Sequence, residues 1–238
     1  MVDTLVFDAD DTLWENNVYF EQAIEEFVAL LGMLAPLAPD PLQVQRVLTE
    51  VEHEYIPVRG YGSRNFIDAL HEVFRRLYSG TDGQAFSLAI EAIGERLLRH
   101  PVEPMPGVAL TLAALQERHR MIVFTKGDRE EQSEKLERSG LRVFFERIEV
   151  VEEKDAPAYQ KLVRRRSLKP ETTAMIGNSP RSDVLPALAA GLWAVFIPHP
   201  HTWQREEERV DPHHRLIVTQ TFSELPQVLS AASIRAGD

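Results

Sequence analysis

Apolar residues recur along the chain with two different spacings, and the change between them divides the sequence. Between residues 17 and 100 the apolar positions follow helical intervals, as at 20, 24, 27, 28 and 31. This spacing predicts amphipathic helices at 17–32, 42–56, 63–78 and 85–100. Because breaks containing Pro or Gly separate these segments, we predict that they form a small helical bundle.

Short runs of β-forming residues flank this helical region, and after residue 120 they alternate with helical patterns. We predict strands at 4–8, 121–125, 147–151, 172–177, 193–198 and 215–219. We predict helices at 129–140, 156–167, 182–191 and near 223–234. The alternation is typical of an α/β fold with a Rossmann-like parallel sheet covered on both faces. The predicted core comprises residues 1–14 and 101–238, with 15–100 as an inserted helical domain.

Composition excludes several classes of protein. The chain has 238 residues, of which 44% are hydrophobic and 26% charged, as in ordinary globular proteins. Its net charge of −11 argues against binding to nucleic acid or anionic membrane. We see no signal peptide and no apolar run near the ~20 residues that span a bilayer. Cysteine is absent, which excludes disulfides and thiolate metal sites. We therefore expect a cytoplasmic protein, monomeric by default.

Polar side chains follow four of the predicted strands. In open parallel sheets, ligand sites form at the carboxyl ends of the strands. The first strand ends at Asp8 and Asp10, and a spacing of two points both side chains the same way along an extended backbone. The later strands are followed by Thr125 and Lys126, by Lys154, and by Asn178 and Asp183.

These residue types suit one kind of chemistry. Several aspartate oxygens without His or Cys favour a hard cation such as Mg²⁺, which would neutralise carboxylates that otherwise repel each other. Thr125 and Lys154 can hold an anion through a hydrogen bond and through charge. A cation, an anion site and a nucleophilic carboxylate together suggest phosphoryl transfer.

The segments "DADDT" and "GNSPRSD", with a Thr and a Lys at the intervening strand ends, resemble the four motifs of the haloacid dehalogenase (HAD) superfamily. The helical insertion resembles the C1 cap of that superfamily. The resemblance implies that Asp8 is the nucleophile and that Asp10 is general acid and then general base. It implies that Asp8, the backbone carbonyl of Asp10 and Asp183 bind Mg²⁺, and that Thr125 and Lys154 hold the transferring phosphoryl group.

The chain departs from the family pattern in two places. Asn178 stands where the family often has Asp, so we include it in the metal site but expect it to lie outside the direct ligands. Lys154 lacks the usual following proline, and the Lys-Pro pair at 169–170 precedes its strand, at the wrong end of the sheet. We assign no chemistry to Asp11, and we expect Thr12 to support the turn.

A Gly-rich turn at 58–66 joins two of the predicted cap helices. Its residues Arg59 and Tyr61 are candidates for reading the substrate, together with Thr125, Lys126 and Lys154 in the core. The alternative is an ordinary connection between helices. We expect the histidine pairs at 199–201 and 213–214 to lie away from the acidic strand ends and to bind no metal.

The resemblance implies a Mg²⁺-dependent phosphatase that hydrolyses a small phosphorylated metabolite through an aspartyl-phosphate. A phosphoglucomutase-type phosphotransferase would use the same intermediate. A haloacid dehalogenase would need neither Asp10 nor a metal, so Asp10 and Asp183 argue against it. A non-catalytic binding protein on the same fold would have no need for an intact Asp8 and Asp10.

Overall fold

Six strands form one parallel sheet in the order β3-β2-β1-β4-β5-β6. The strands are β1 (Thr4–Phe7), β2 (Arg120–Lys126), β3 (Arg147–Val151), β4 (Thr173–Gly177), β5 (Trp193–Phe196) and β6 (Leu216–Val218). The predicted parallel sheet is confirmed, and the bounds of β3 match the prediction. Since β1 is the central strand and its two neighbours follow different connections, its carboxyl end lies at the point where the strand order reverses.

This computed structural model describes residues 2–33, 38–78 and 84–235. The chain divides into two compact units, one of Met1–Asn17 with Val102–Asp238 and the other of Val18–Pro101. The first unit contains the sheet and the second contains four helices. Among the described residues, no helix is both long and apolar enough to cross a membrane.

The helical unit is built from α1 (Asn17–Gly32), α2 (Pro41–Arg59), α3 (Ser63–Leu77) and α4 (Gln84–Leu98). The periodic apolar positions of the sequence form its core, as the amphipathic pattern requires. Phe27, Leu31, Val44, Leu70 and Ile90 are all fully buried there. At the start of α2, the Asp40 side chain accepts a hydrogen bond from the Leu42 amide and caps the helix.

The sheet has a hydrophobic layer on each face because side chains alternate along each strand. Leu5 and Phe7 of β1 pack into one cluster with Trp14. Val6 packs into another with Phe124 and Tyr159. Every residue of β1 is buried, which explains why this strand reads as a short apolar run.

The helices of the sheet unit are α5 (Val108–Leu115), α6 (Arg129–Arg138), α7 (Ala156–Arg166), α8 (Leu185–Ala189) and α9 (Leu225–Arg235). Of these, α5 was not predicted from the sequence; it is an apolar helix that begins after a left-handed Gly107. Our prediction of a regular helix at 182–191 was wrong at its start. Residues Pro180–Val184 form a wider π-helical turn, in which the Val184 amide donates to the Ser179 carbonyl.

Candidate active site

Asp8 lies immediately after β1, between the ends of two neighbouring strands. Phe7 pairs with Val123 of β2 and with Ile176 of β4, and the Asp8 amide donates to the Ile176 carbonyl at 2.9 Å. The Thr12 hydroxyl lies 3.0 Å from Asp8 Oδ2. This contact orients the carboxylate and agrees with the supporting role expected of Thr12.

Lys154 connects the ends of three strands. Its side chain is 1% exposed, and Nζ lies 2.5 Å from Oδ1 of Asp8 and forms an ion pair with Asp183. Nζ also donates to the Phe124 carbonyl of β2 at 3.3 Å. Burial by itself would lower the pKa of Lys154, but the carboxylates of Asp183 and Asp8 raise it well above its usual value. Lys154 is therefore a permanent cation at the centre of the site.

Asp183 is buried against the backbone at the end of β4. Its Oδ2 accepts a hydrogen bond from the Ser179 amide at 2.9 Å. A Cβ atom added to Gly177 would lie 2.2 Å from the same oxygen, so a glycine is needed for the carboxylate to occupy this position. Burial and the charge of Asp8 raise the pKa of Asp183, although Lys154 acts in the opposite direction.

This part of the site fits a hard cation. Asp8 and Asp183 are both buried, and Lys154 alone leaves a net negative charge between them. Burial is the largest cause of the raised pKa of Asp183, and the charge of Asp8 adds to it. Oxygen ligands in this setting suit Mg²⁺, and the residues that would hold it are Asp8, Asp183 and the backbone carbonyl of Asp10.

Asn178 lies beside this carboxylate pair and is itself buried. Its Oδ1 lies 3.1 Å from the Thr12 hydroxyl, which also faces Asp8, and its Nδ2 donates to the Thr202 hydroxyl at 3.0 Å. The amide therefore links the β1 turn to the loop that follows β5. This position is compatible with a role outside the direct metal ligands, which stays a prediction.

Asp10 lies in different surroundings from Asp8, although only one residue separates them. The Trp14 indole donates to Oδ1 at 2.8 Å, Gln132 Nε2 donates to Oδ2 at 2.8 Å, and Lys135 Nζ lies within 3.2 Å of both oxygens. Burial alone would raise the pKa of Asp10, but Lys135, Gln132 and Trp14 together lower it. These contacts stabilise the carboxylate form, in which Asp10 can accept a proton.

Thr125 and Lys126 lie at the end of β2 and differ in their surroundings. Thr125 is 2% exposed, and its hydroxyl lies 3.4 Å from the Lys126 carbonyl, which is long for a hydrogen bond. The Lys126 ammonium forms an ion pair with Glu206 and donates to the Ser182 hydroxyl at 3.1 Å. The charge of Lys126 is therefore already balanced by a carboxylate, and its predicted contact with the substrate stays a prediction.

The expectation that the histidines at 199–201 lie away from the acidic turn was wrong. His199 Nε2 lies 3.2 Å from Oε2 of Glu15, and Nδ1 lies 4.0 Å from Oδ1 of Asp11. The loop after β5 folds back over the β1 turn, an approach that has no local signal in the sequence. Asp11, with a left-handed φ of 60°, accepts hydrogen bonds from the amides of Asn16 and Asn17.

The Asp11, Glu15 and His199 side chains also lie close enough together to hold a metal ion. However, His199 Nδ1 accepts a hydrogen bond from the His201 amide at 3.3 Å, and Nε2 faces Glu15. Nδ1 is thus engaged within the loop, and Nε2 is engaged by Glu15 of the segment after β1. Burial raises the pKa of Asp11 to about 7, which further weakens this cluster as a cation site.

The predicted substrate residues of the helical unit lie at the end of α2 and just beyond it. The Arg59 guanidinium lies 2.9 Å from an Asp68 oxygen and stacks 4.1 Å from the centre of the Tyr55 ring. Gly60 and Gly62, both with positive φ, form the turn that carries Tyr61. The turn is therefore a tight connection between α2 and α3, and a role in substrate binding stays a prediction.

Gln132, Lys135 and Glu206 were not among the residues predicted from the sequence. A signal for the first two was present, because Gln132 and Lys135 lie on the same face of α6 as Leu136, the one apolar residue of that helix. Polar residues on the core face of a helix indicate a specific polar contact. Glu206 lies in a short turn after β5 and has no comparable signal.

The fold and the site define a class of protein, namely an enzyme with a Rossmann-like α/β fold and an aspartate at the switch point of its parallel sheet. The chain also matches a family model, that of the haloacid dehalogenase-like hydrolases, over residues 2–191. The chain belongs to this family. Its HAD membership, its fold class and its assignment as a hydrolase of this superfamily are thereby confirmed.

Individual relatives agree with the family model. A glyceraldehyde 3-phosphate phosphatase from Methanopyrus kandleri is 27% identical over 206 residues, covering 83% of this chain and 84% of the relative. A protein of the same name from Methanothermobacter thermautotrophicus is 26% identical over 96% of this chain and 100% of its own. A haloacid dehalogenase-like family hydrolase from Xanthomonas campestris is 32% identical, with a TM-score of 0.85, over 99% of this chain and 94% of that one.

Proposed function

We propose that this protein is a Mg²⁺-dependent phosphatase that hydrolyses a small phosphorylated metabolite through an aspartyl-phosphate intermediate. The observation that carries the proposal is the buried cluster of Asp8, Lys154 and Asp183 at the carboxyl ends of the strands. It combines a nucleophilic carboxylate with a fixed cation and a second oxygen ligand. Two relatives named as phosphatases support the same reading.

In the proposed first step, an Asp8 oxygen attacks phosphorus and the bond from phosphorus to the leaving oxygen breaks. Asp10 gives a proton to that oxygen, so the product leaves as an alcohol. Lys154 and the Thr125 hydroxyl hold the phosphoryl oxygens and offset their charge. When bound, Mg²⁺ supplies further positive charge beside these oxygens.

In the second step, water attacks phosphorus and the bond to Asp8 breaks. Asp10 takes the proton of that water, and the products are inorganic phosphate and a free Asp8 carboxylate. The three donors around Asp10 favour its charged form, which this step requires, whereas the first step requires the protonated form that they disfavour. The proton taken here replaces the one given in the first step, so the cycle is balanced.

The substrate class is proposed from the relatives and from the helical unit. The phosphatases named above act, by their names, on a three-carbon sugar phosphate, and compounds of that size are the first candidates. We propose that Arg59 and Tyr61 contribute to recognition of the part of the substrate that leaves, while Lys126 supports phosphate binding from the core.

The first test is phosphate release from glyceraldehyde 3-phosphate, other small phosphorylated metabolites and p-nitrophenyl phosphate, with Mg²⁺ and with a chelator. Asp8→Asn removes the nucleophile with little change in shape, so we expect turnover to fall by about 10⁴-fold or more. Mg²⁺-independent halide release from a haloacid would instead support a dehalogenase. Phosphate transfer between positions of a sugar phosphate would support a mutase.

A further inference from the structure

Two buried polar side chains of α6, Gln132 and Lys135, contact the carboxylate of Asp10. Gln132 Nε2 lies 2.8 Å from Oδ2, and Lys135 Nζ lies 3.1 Å from Oδ1 and 3.2 Å from Oδ2. Residues three apart lie on the same face of a helix. One helix therefore supplies two donors to one carboxylate, across more than 120 residues of sequence.

The position of Lys135 is costly without its partners. Its side chain is only 4% exposed, and a buried ammonium is unfavourable unless it is paired and hydrogen-bonded. Besides Asp10, Nζ lies 2.7 Å from Oδ1 of Asn16 and 3.5 Å from Glu131. The Asp10 carboxylate is thus the nearer of its two negatively charged partners.

The position of Gln132 is also costly. Besides its 2.8 Å contact with Asp10, Nε2 lies 3.4 Å from the Lys126 carbonyl, a distance at which a hydrogen bond is weak. Gln132 Oε1 is buried and accepts no hydrogen bond within the part of the chain that the structure describes. An unsatisfied buried acceptor is unfavourable, and an apolar side chain would avoid it. At Gly127, where φ is +134°, an added Cβ would lie 3.2 Å from Gln132 Nε2. Because Gly127 has no side chain, the backbone leaves room for the Gln132 amide next to Asp10.

From these contacts we propose that Gln132 and Lys135 are positioning residues, which hold the Asp10 carboxylate in the orientation needed for both proton transfers. The inference rests on the proposed phosphatase function. Neither side chain contacts the phosphoryl group in this proposal, and each acts through Asp10. Both residues lie within α6 and not at the end of a strand, so the pattern of polar strand ends did not identify them.

The sharpest variant is Gln132→Leu, which keeps a similar size and removes both the donor and the unsatisfied oxygen. We expect kcat to fall about 10-fold to 100-fold with KM changed less than about 3-fold, because general acid–base catalysis depends on orientation. We expect the urea midpoint to stay equal or rise. A lower midpoint with unchanged kcat would mean that Gln132 is structural, and would overturn the proposal.

A double-mutant cycle tests whether the two residues act through Asp10. Lys135→Met and Gln132→Leu are each measured in the wild-type and Asp10→Asn backgrounds. We expect each to reduce kcat by less than about 3-fold once Asp10 is replaced, because groups acting as a unit are not additive. An equal loss in both backgrounds would overturn the proposal. Arg138→Met is the matched control, since it removes a positive charge from an exposed position of the same helix.

The choice of substrate separates this inference from the function on which it rests. An alkyl phosphate has a poor leaving group and needs proton donation more than p-nitrophenyl phosphate does. We therefore expect larger losses on the alkyl phosphate. If wild-type phosphate release depends on Asp8 but not on Gln132 or Lys135, only the positioning role is overturned. If phosphate release does not depend on Asp8, the phosphatase function fails and this inference fails with it.

Discussion

Two lysines bind the aspartates of the β1 turn, and their surroundings differ. Lys154 lies at the end of β3 between Asp8 and Asp183, with two carboxylates to one cation. Lys135 belongs to α6 and lies against Asp10, where Gln132 and the Trp14 indole add neutral donors. The first cluster is short of positive charge, whereas the second already compensates its carboxylate.

This difference gives the two aspartates separate chemical characters. The Lys154 cluster lacks positive charge, so it can accommodate a cation. With that cation it can also accommodate a phosphate group, as expected around a nucleophile. Where donors surround a carboxylate, its position is fixed and its charged form is stabilised. Residues only two apart in sequence thus obtain different properties from partners that are distant in the chain.

The largest effect on stability and activity is expected from a substitution that breaks the Lys154 cluster. Lys154→Met leaves Asp8 and Asp183 buried without their cation, so we expect the free energy of unfolding to fall by about 3 kcal/mol or more. We expect kcat to fall by at least about 10³-fold, since the phosphoryl charge loses its fixed partner. Urea denaturation and phosphate release measure the two effects. Lys161→Met on the exposed face of α7 is the control, and equal stability of the two variants would contradict the prediction.

A smaller effect is expected at a third lysine–carboxylate pair, Lys126 with Glu206, which contains no predicted nucleophile. Burial would raise the pKa of Glu206, but Lys126 and the hydroxyls of Ser179 and Ser182 lower it below its ordinary value of 4.5. Its stabilisation is therefore fully present above the unfolded pKa and is lost as pH falls through the folded pKa.

We expect Glu206→Gln to lower the free energy of unfolding at pH 7 by about 1–3 kcal/mol, because an ammonium loses its buried partner. The difference from wild type should shrink as the pH falls below about 4.5. Denaturation curves at pH 7, 5.5 and 4 measure it. A difference that stays constant across this range would show that Glu206 does not act through its charge.

The smallest expected effect concerns the charge of the Lys154 cluster itself. Asn178→Asp adds a carboxylate beside Thr12 and Asp8 while leaving the Asp10 cluster unchanged. We expect Mg²⁺ to be bound several-fold more tightly, about 1 kcal/mol in binding free energy. Titration of activity and calorimetry with Mg²⁺ measure the change. Unchanged affinity would mean that this position is too remote for its charge to reach the cation.

The sheet was predictable because its strands are short, apolar and followed by polar residues. The segment 147–151 has this pattern and forms β3 with the same bounds. The segment 182–191 was harder to predict, because its start is set by contacts of Asp183 and Ser179 that produce a π-helical turn. A tertiary requirement there overrides the local helical periodicity.

The candidate site divides in a similar way. Asp8, Lys154 and Asp183 follow strands directly, so strand order alone suggests that they approach each other. Lys135 and Gln132 lie within a helix whose charged composition suggests exposure to solvent. Their spacing from Leu136 places them on its face of the helix, but their burial depends on where α6 packs. His199 is similar, since the loop after β5 approaches the β1 turn only in the folded chain.

The sequence by itself therefore determined the alternation of strands and helices, the helical insertion and the order of the polar strand ends. These features follow from periodicity and from the geometry of parallel sheets, which act over short stretches of chain. Only the tertiary structure decided which lysine faces which aspartate. Burial, charge compensation and pKa depend on distances between side chains that are far apart in sequence, and packing alone sets those distances.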